Sequence, residues 1–366
     1  MRAVVDRAPE TVEAAARPAE RHSRHVVWRV GGLSVRFERR TAVVHLVLVV
    51  ALAAAALWAL TLGDYGIPVG QVVAALRGHA DDPLAAWFVT DVRLPRVTAA
   101  VLVGAALGVS GAIFQTISGN PLGSPDVIGF TTGSATGALV AIILVGASPA
   151  GTSLGAVVGG LVAALVVYLL SWRHGVAGFR LVLVGIGVGA TLHAANALLV
   201  VEAPLDRAQS AAQWQAGSLN GVTWAQLAWL AVALAMLVPV AAAVSRGLSV
   251  LPLGDDLARS LGTRVQGARL VAVLVGVALV ALATAVTGPI AFVALAAPHL
   301  VRRLTRNAGV ALTGGALLGA LLVLVSDVAA QRLFAPTQLA VGIVTGALGG
   351  TYLVALLALE WRRSRT

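Results

Sequence analysis

The feature that most constrains this chain is an apolar run long enough to cross a bilayer, repeated about ten times. A hydrocarbon core of ~30 Å needs about 20 apolar residues as helix, and a helix satisfies its own backbone hydrogen bonds there. Such runs lie at 42–62, 97–117, 127–147, 154–171, 181–201, 223–244, 270–287, 290–301, 308–326 and 339–359. The eighth is short and holds Pro298 and His299; a nine-span alternative makes 288–300 re-entrant. Only 11% of residues are charged and 58% are hydrophobic, against about 25% charged in soluble domains. The predicted fold class is all-α: a polytopic membrane protein of about ten transmembrane helices. Residues 1–41 read as a polar, arginine-rich cytoplasmic arm, partly helical near Val26–Val35. Residues 42–360 form the transmembrane domain and 361–366 a cytoplasmic tail.

Charge sets the expected orientation. The chain has 26 basic residues, all arginine, and a formal charge of +10. With both termini cytoplasmic, 21 arginines fall in inside segments. Arg77, Arg93, Arg96, Arg207 and Arg332 fall outside. Such bias orients spans in a membrane, and a nucleic-acid binder has no reason to alternate its charge with hydrophobic segments. The absence of lysine excludes a P-loop ATPase and Schiff-base chemistry. The absence of cysteine excludes disulfides, thiolate metal sites and cysteine nucleophiles. No cofactor or metal site is expected, since His193 lacks carboxylate or thiolate companions nearby.

Two segments echo each other. Ala100–Leu107 reads AVLVGAAL and Ala272–Leu279 reads AVLVGVAL, in spans two and seven. An odd offset of five spans inverts the second copy, so the pattern predicts an inverted five-helix repeat, a common transporter architecture.

Five polar stretches interrupt the apolar pattern. Arg93-Leu94-Pro95-Arg96 opens span two, where its arginines can snorkel as interfacial anchors. Gly119 to Gly129 (GNPLGSPDVIG) makes a tight turn. Leu253 to Gly262 (LGDDLARSLG) predicts a short helix begun by Asp255 or Asp256 and ended by Gly262. Leu257 and Leu261 lie one turn apart on it and share a face, giving an amphipathic docking surface or a purely structural interfacial helix. Gly288-Pro289-Ile290-Ala291-Phe292-Val293 runs on to Pro298-His299-Leu300. Ser326-Asp327 precedes Arg332 and then Leu339 to Thr345.

In this order, these stretches resemble the iron-siderophore and cobalamin permease family of binding-protein-dependent ABC importers, over roughly residues 42–360. The long arm is the main departure. The resemblance implies a non-enzymatic transport subunit in the cytoplasmic membrane that pairs with a second permease chain. It also implies a cytoplasmic ATPase dimer, which holds the ATP and Mg, and an extracytoplasmic solute-binding protein. Arg93, Arg96 and Arg332 match positions that meet acidic residues on that receptor. Leu253, Gly254, Asp255, Asp256, Leu257, Ala258, Leu261 and Gly262 match the ATPase-coupling loop. The cargo implied is an iron-siderophore complex, or haem or cobalamin.

Span interiors offer pathway candidates. Gly129, Gly133 and Gly137 repeat every four residues, a pattern that close helix packing also produces. Gly185, Gly187 and Gly189 precede His193 and Asn196, which share a face; both a pathway role and an interhelical hydrogen bond fit them. An ion-coupled secondary transporter would place acids inside its spans, whereas Asp126, Glu202 and Asp327 sit at span ends. An intramembrane enzyme would need a pair such as Ser110 and His193, which nothing in the sequence brings together.

Overall fold

A computed structural model describes residues 25–30, 33–63, 65–80, 82–173, 175–307 and 309–363. Most of the arm (1–24) and the last tail residues (364–366) lie outside the described residues. Two compact units are present, Met1–Val43 and Val44–Thr366.

In the first unit, β1 (His25–Val30) and β2 (Leu33–Glu38) pair antiparallel, with Val30 opposite Leu33. The helix expected near Val26–Val35 is therefore a hairpin. The sequence reason is visible in retrospect. Two runs rich in β-branched and aromatic residues flank Gly31-Gly32, a pair suited to a two-residue hairpin turn.

The second unit is helical. After α1 (Arg39–Thr61) come two short helices, α2 (Val69–Leu76) and α3 (Pro83–Trp87). The bundle continues with α4 (Leu94–Ser118), α5 (Phe130–Leu139, extended to Val145 by a π-turn), α6 (Pro149–Leu170) and α7 (Gly178–Val201). Then follow α8 (Leu205–Gln215), α9 (Trp224–Val250), α10 (Asp255–Ser260), α11 (Val265–Thr287), α12 (Val293–Thr305), α13 (Leu312–Arg332) and α14 (Val341–Arg363). Among the described residues, seven helices are long and apolar enough to cross a membrane, and Phe130–Val145 and Val341–Ala355 are shorter apolar helices. With α12, these ten helices correspond one to one with the ten apolar runs.

The packing repeats with an offset of five spans. α4 lies against α13 as α11 lies against α6, and α5 pairs with α6 as α12 pairs with α13. α4 and α11 are antiparallel neighbours joined by the Ser110 hydroxyl, which donates to the Gly276 carbonyl at 2.7 Å. The centre is built on glycine. A methyl group added at Gly104 or Gly108 of α4 would run into the backbone of Gly319 or Gly315 on α13. In lipid there is no hydrophobic force between helices, so close backbone approach supplies the packing energy.

Spans three and eight are each only partly helical. Residues 119–129 precede α5, and residues 288–292 precede α12. Both helices open beside a left-handed residue, Gly129 (φ 86°) and Phe292 (φ 68°) respectively. The eighth span does cross the bundle. Thr287 accepts from the Ser218 amide at the end that carries Arg96. Arg302 reaches Gln115 at the opposite end of α4. The helix itself runs Val293–Thr305, so the expected 290–301 began too early. The Gly-Pro pair ahead of it is non-helical, with Gly288 at φ 74°.

Candidate functional site

At one end of the bundle, three arginines gather. A π-turn (Phe88–Arg93) leads into α4 and turns Arg93 inward, to 8% exposure. Its guanidinium donates to the Leu60 carbonyl at 2.8 Å and to the Tyr65 carbonyl, and stands 5.8 Å from the Phe88 ring centre. Arg93 is therefore held by carbonyls at the end of α1 and in the link after it. Arg332 is exposed and donates to the Gly63 carbonyl at 2.9 Å, in that same link.

Arg96 sits between these extremes. Nε and Nη2 each lie 2.8 Å from an oxygen of Asp327, a bidentate pair across α4 and α13. The Arg96 side chain is 16% exposed and that of Asp327 only 3%. Asn220 and Gln338 accept from Nη1, and Gln331 donates to Asp327 at 2.8 Å. A planar fork suits such a carboxylate. In the sequence Asp327 stands out as an acid at a span end and as part of the fifth polar stretch, with nothing there to pair it with Arg96. No periodic signal pointed to Asn220 or Gln338.

Beside the arginines, the Tyr65 hydroxyl donates to Asp82 at 2.9 Å and the Leu84 amide donates to the same carboxylate at 2.9 Å. The Tyr65 hydrogen bond and then the Leu84 amide hold the Asp82 carboxyl below the usual carboxylate range.

The opposite end carries α10. Its flanking glycines both have positive φ, Gly254 at 98° and Gly262 at 81°, the region where a side chain is strained. Ala258 is fully buried beneath the helix, while Leu253, Leu257 and Leu261 are 57%, 57% and 63% exposed. Asp255 pairs with Arg269 of α11 at 2.9 Å, and Asp256 pairs with Arg259 at 2.7 Å. Arg269 also donates to the Val176 carbonyl. The result is a short helix pinned on one side that presents three leucines on the other.

The glycine candidates divide between packing and open surface. A Cβ on Gly129 would meet Gly189 and Gly185 of α7, and one on Gly133 or Gly137 would meet α6. These five glycines sit in helix contacts. Gly187 has nothing within 4 Å of such a Cβ and lies on the exposed face of α7 with His193. Asn196 is buried, and its Oδ1 has no hydrogen-bond partner among the described residues. The expected shared face of His193 and Asn196 is thus split, one residue outward and one inward. No group of three potential metal-ligating side chains occurs among the described residues.

Known proteins are similar to this chain in sequence and fold. The chain is 49% identical over 325 residues to the ferric enterobactin transport system permease protein FepG of Escherichia coli K12, covering 89% of this chain and 98% of that one. It is 38% identical to the achromobactin transport system permease protein CbrC of Dickeya dadantii, covering 91% and 96%. A solved metal-chelate type ABC transporter in an inward-facing conformation superposes with a TM-score of 0.78 at 28% identity, covering 87% of this chain and 99% of that one. A model of the FecCD transport family matches residues 20–359. The chain belongs to the FecCD transport family.

Proposed function

We propose that this chain is the membrane-spanning permease subunit of an ABC importer for a ferric siderophore, driven by ATP hydrolysed on a separate subunit. The observation that carries this reading is the 49% identity to a ferric enterobactin permease over nearly the whole of both chains. The geometry supports it at three places. The exposed leucines of α10 supply an apolar knob for a cytoplasmic ATPase, with Gly254 and Gly262 setting its turns. At the far end, Arg332 remains exposed for an acidic solute-binding protein, where rim charge pairs speed encounter and fix register. Between them, the exposed α7 face with Gly187 and His193 lines a path once a second permease subunit stands opposite. The packed glycines hold that face in place.

The test is uptake. Cells deleted for this chain are supplied with 55Fe-labelled ferric enterobactin, a ferric hydroxamate or haemin, with and without the chain restored in trans. Loss and recovery of ferric siderophore uptake supports the proposal. Recovery of haemin uptake alone would refute the cargo. Uptake that persists after ATP depletion but collapses with a protonophore would refute the ATP-driven mechanism.

A further inference from the structure

A groove of about 530 Å³ opens between α4, α9 and α13, well away from the α7 face and from the Arg96 end. Its size lies within the range of small-molecule sites, roughly 300–1,000 Å³. The walls are amphipathic along their length. Toward the bundle centre they are formed by Val109, Val238, Ala242 and Ala316, with no charged group. Toward the α10 end they carry Ser245, Arg246, Ser249 and Thr313. On α9, Val238 to Ser249 covers about 16 Å at 1.5 Å per residue. The apolar part of that length, Val238 to Ala242, covers about 6 Å, room for the upper part of one acyl chain within a half-core of about 15 Å.

The polar mouth is cationic. Arg246 is exposed and forms no ion pair among the described residues, whose four salt bridges involve Arg96, Arg259 and Arg269. The hydroxyls of Ser245 and Ser249 donate back to the α9 carbonyls of Ala242 and Arg246, so the positive charge of the mouth comes from Arg246 and not from the serines. α13 begins at this mouth with no side-chain cap on its first turn, so its amide groups add partial positive charge. An anion at Arg246 and the first turn of α13, with an apolar tail along the groove, satisfies the cationic mouth and the apolar walls together.

We propose that this groove binds one anionic phospholipid, its phosphate at Arg246 and one acyl chain lying along Val238, Ala242 and Val109. Basic pockets between helices near a membrane surface suit such headgroups, and an acyl chain fills apolar walls that water would leave unsatisfied. The inference is independent of the cargo.

Native mass spectrometry on the full chain, purified with any co-purifying subunits, tests it. The probes are phosphatidylglycerol, phosphatidylcholine of matched chains, and glycerol phosphate alone. The wild type should retain phosphatidylglycerol over phosphatidylcholine. Arg246→Glu should reduce phosphatidylglycerol affinity roughly ten-fold and leave phosphatidylcholine unchanged, reversing a charge of the kind that attracts anionic headgroups. Ala242→Trp, which fills the groove while keeping the charge, should reduce both lipids. Both variants alter exposed side chains, so folding is retained. Unchanged phosphatidylglycerol preference in Arg246→Glu would overturn the proposal. So would glycerol phosphate binding as tightly as the lipid, which would mark a plain anion site. Crosslinks from position 242 to another protein chain would overturn it as well.

Discussion

Replacing Arg96 by alanine separates a structural arginine from a docking one. In the wild type, Asp327 is 3% exposed on its side chain and receives two 2.8 Å charge-assisted bonds from Arg96. Removing one partner of a buried pair leaves an uncompensated charge, at a cost of about 3–5 kcal/mol. Gln331 still donates to Asp327, which places the expected loss near the lower end, about 3 kcal/mol. For a chain of this size that is a fall on the order of 5 °C in Tm. Asp327→Asn should cost less, because a neutral amide needs less solvation. The pair replaced together, Arg96→Met with Asp327→Leu, should recover much of the loss, since apolar substitutes of similar volume are often tolerated at buried pairs. The assay is thermal unfolding in detergent for the wild type and these three variants, with receptor binding in nanodiscs measured alongside. The reasoning fails if Arg96→Ala unfolds within about 0.5 kcal/mol of the wild type while losing receptor binding. Arg96 would then be serving a partner and not the α4–α13 contact.

Three further outcomes follow from the same structure. Leu261→Asp, on an exposed site of the α10 loop, should leave folding intact and uncouple ATP hydrolysis from uptake; interface anchors typically cost more than ~1 kcal/mol when removed, and unchanged uptake would remove α10 from coupling. Gly108→Leu should fail to accumulate or should unfold several degrees lower, because its Cβ meets the Gly315 backbone and overpacking costs about 1–3 kcal/mol or more. Gly187→Ala, with open space around it, should instead match the wild type, and equal behaviour of the two variants would refute the packing argument. The fourth outcome concerns pH. Asp82 has a folded pKa below its unfolded value, so its contact with Tyr65 contributes above the unfolded value of about 3.9 and is lost as pH falls through the folded value. Hydrogen-exchange protection of residues 65–80, taken relative to the intrinsic rate at each pH, should fall in that window, and Asp82→Asn should show the reduced protection already at pH 7.

Span number and approximate extent were legible in the sequence because each apolar run must satisfy its own backbone in lipid, a local requirement. The five-span repeat was legible as a short match, Ala100–Leu107 with Ala272–Leu279, and the packing of α4 on α13 and α11 on α6 extends it. The α10 loop was also readable, since Gly254, Gly262 and the leucine spacing specify a short capped helix. What the tertiary structure decided was where each polar side chain finds its partner. Arg93 and Arg96 look alike in the sequence, three residues apart. The π-turn aims one at carbonyls at the end of α1 and in the link after it, and α13 brings Asp327 to the other from 231 residues away. His193 and Asn196 look like a pair, yet one faces outward and one inward. The eighth span is hard to read because its helix is only 13 residues long and is preceded by a bent, non-helical stretch with positive φ at Gly288 and Phe292. Local periodicity reports which face of a helix is apolar. It carries no information about which distant segment will lie against a polar group, and that contact determines whether an arginine holds the bundle together or remains open to a partner.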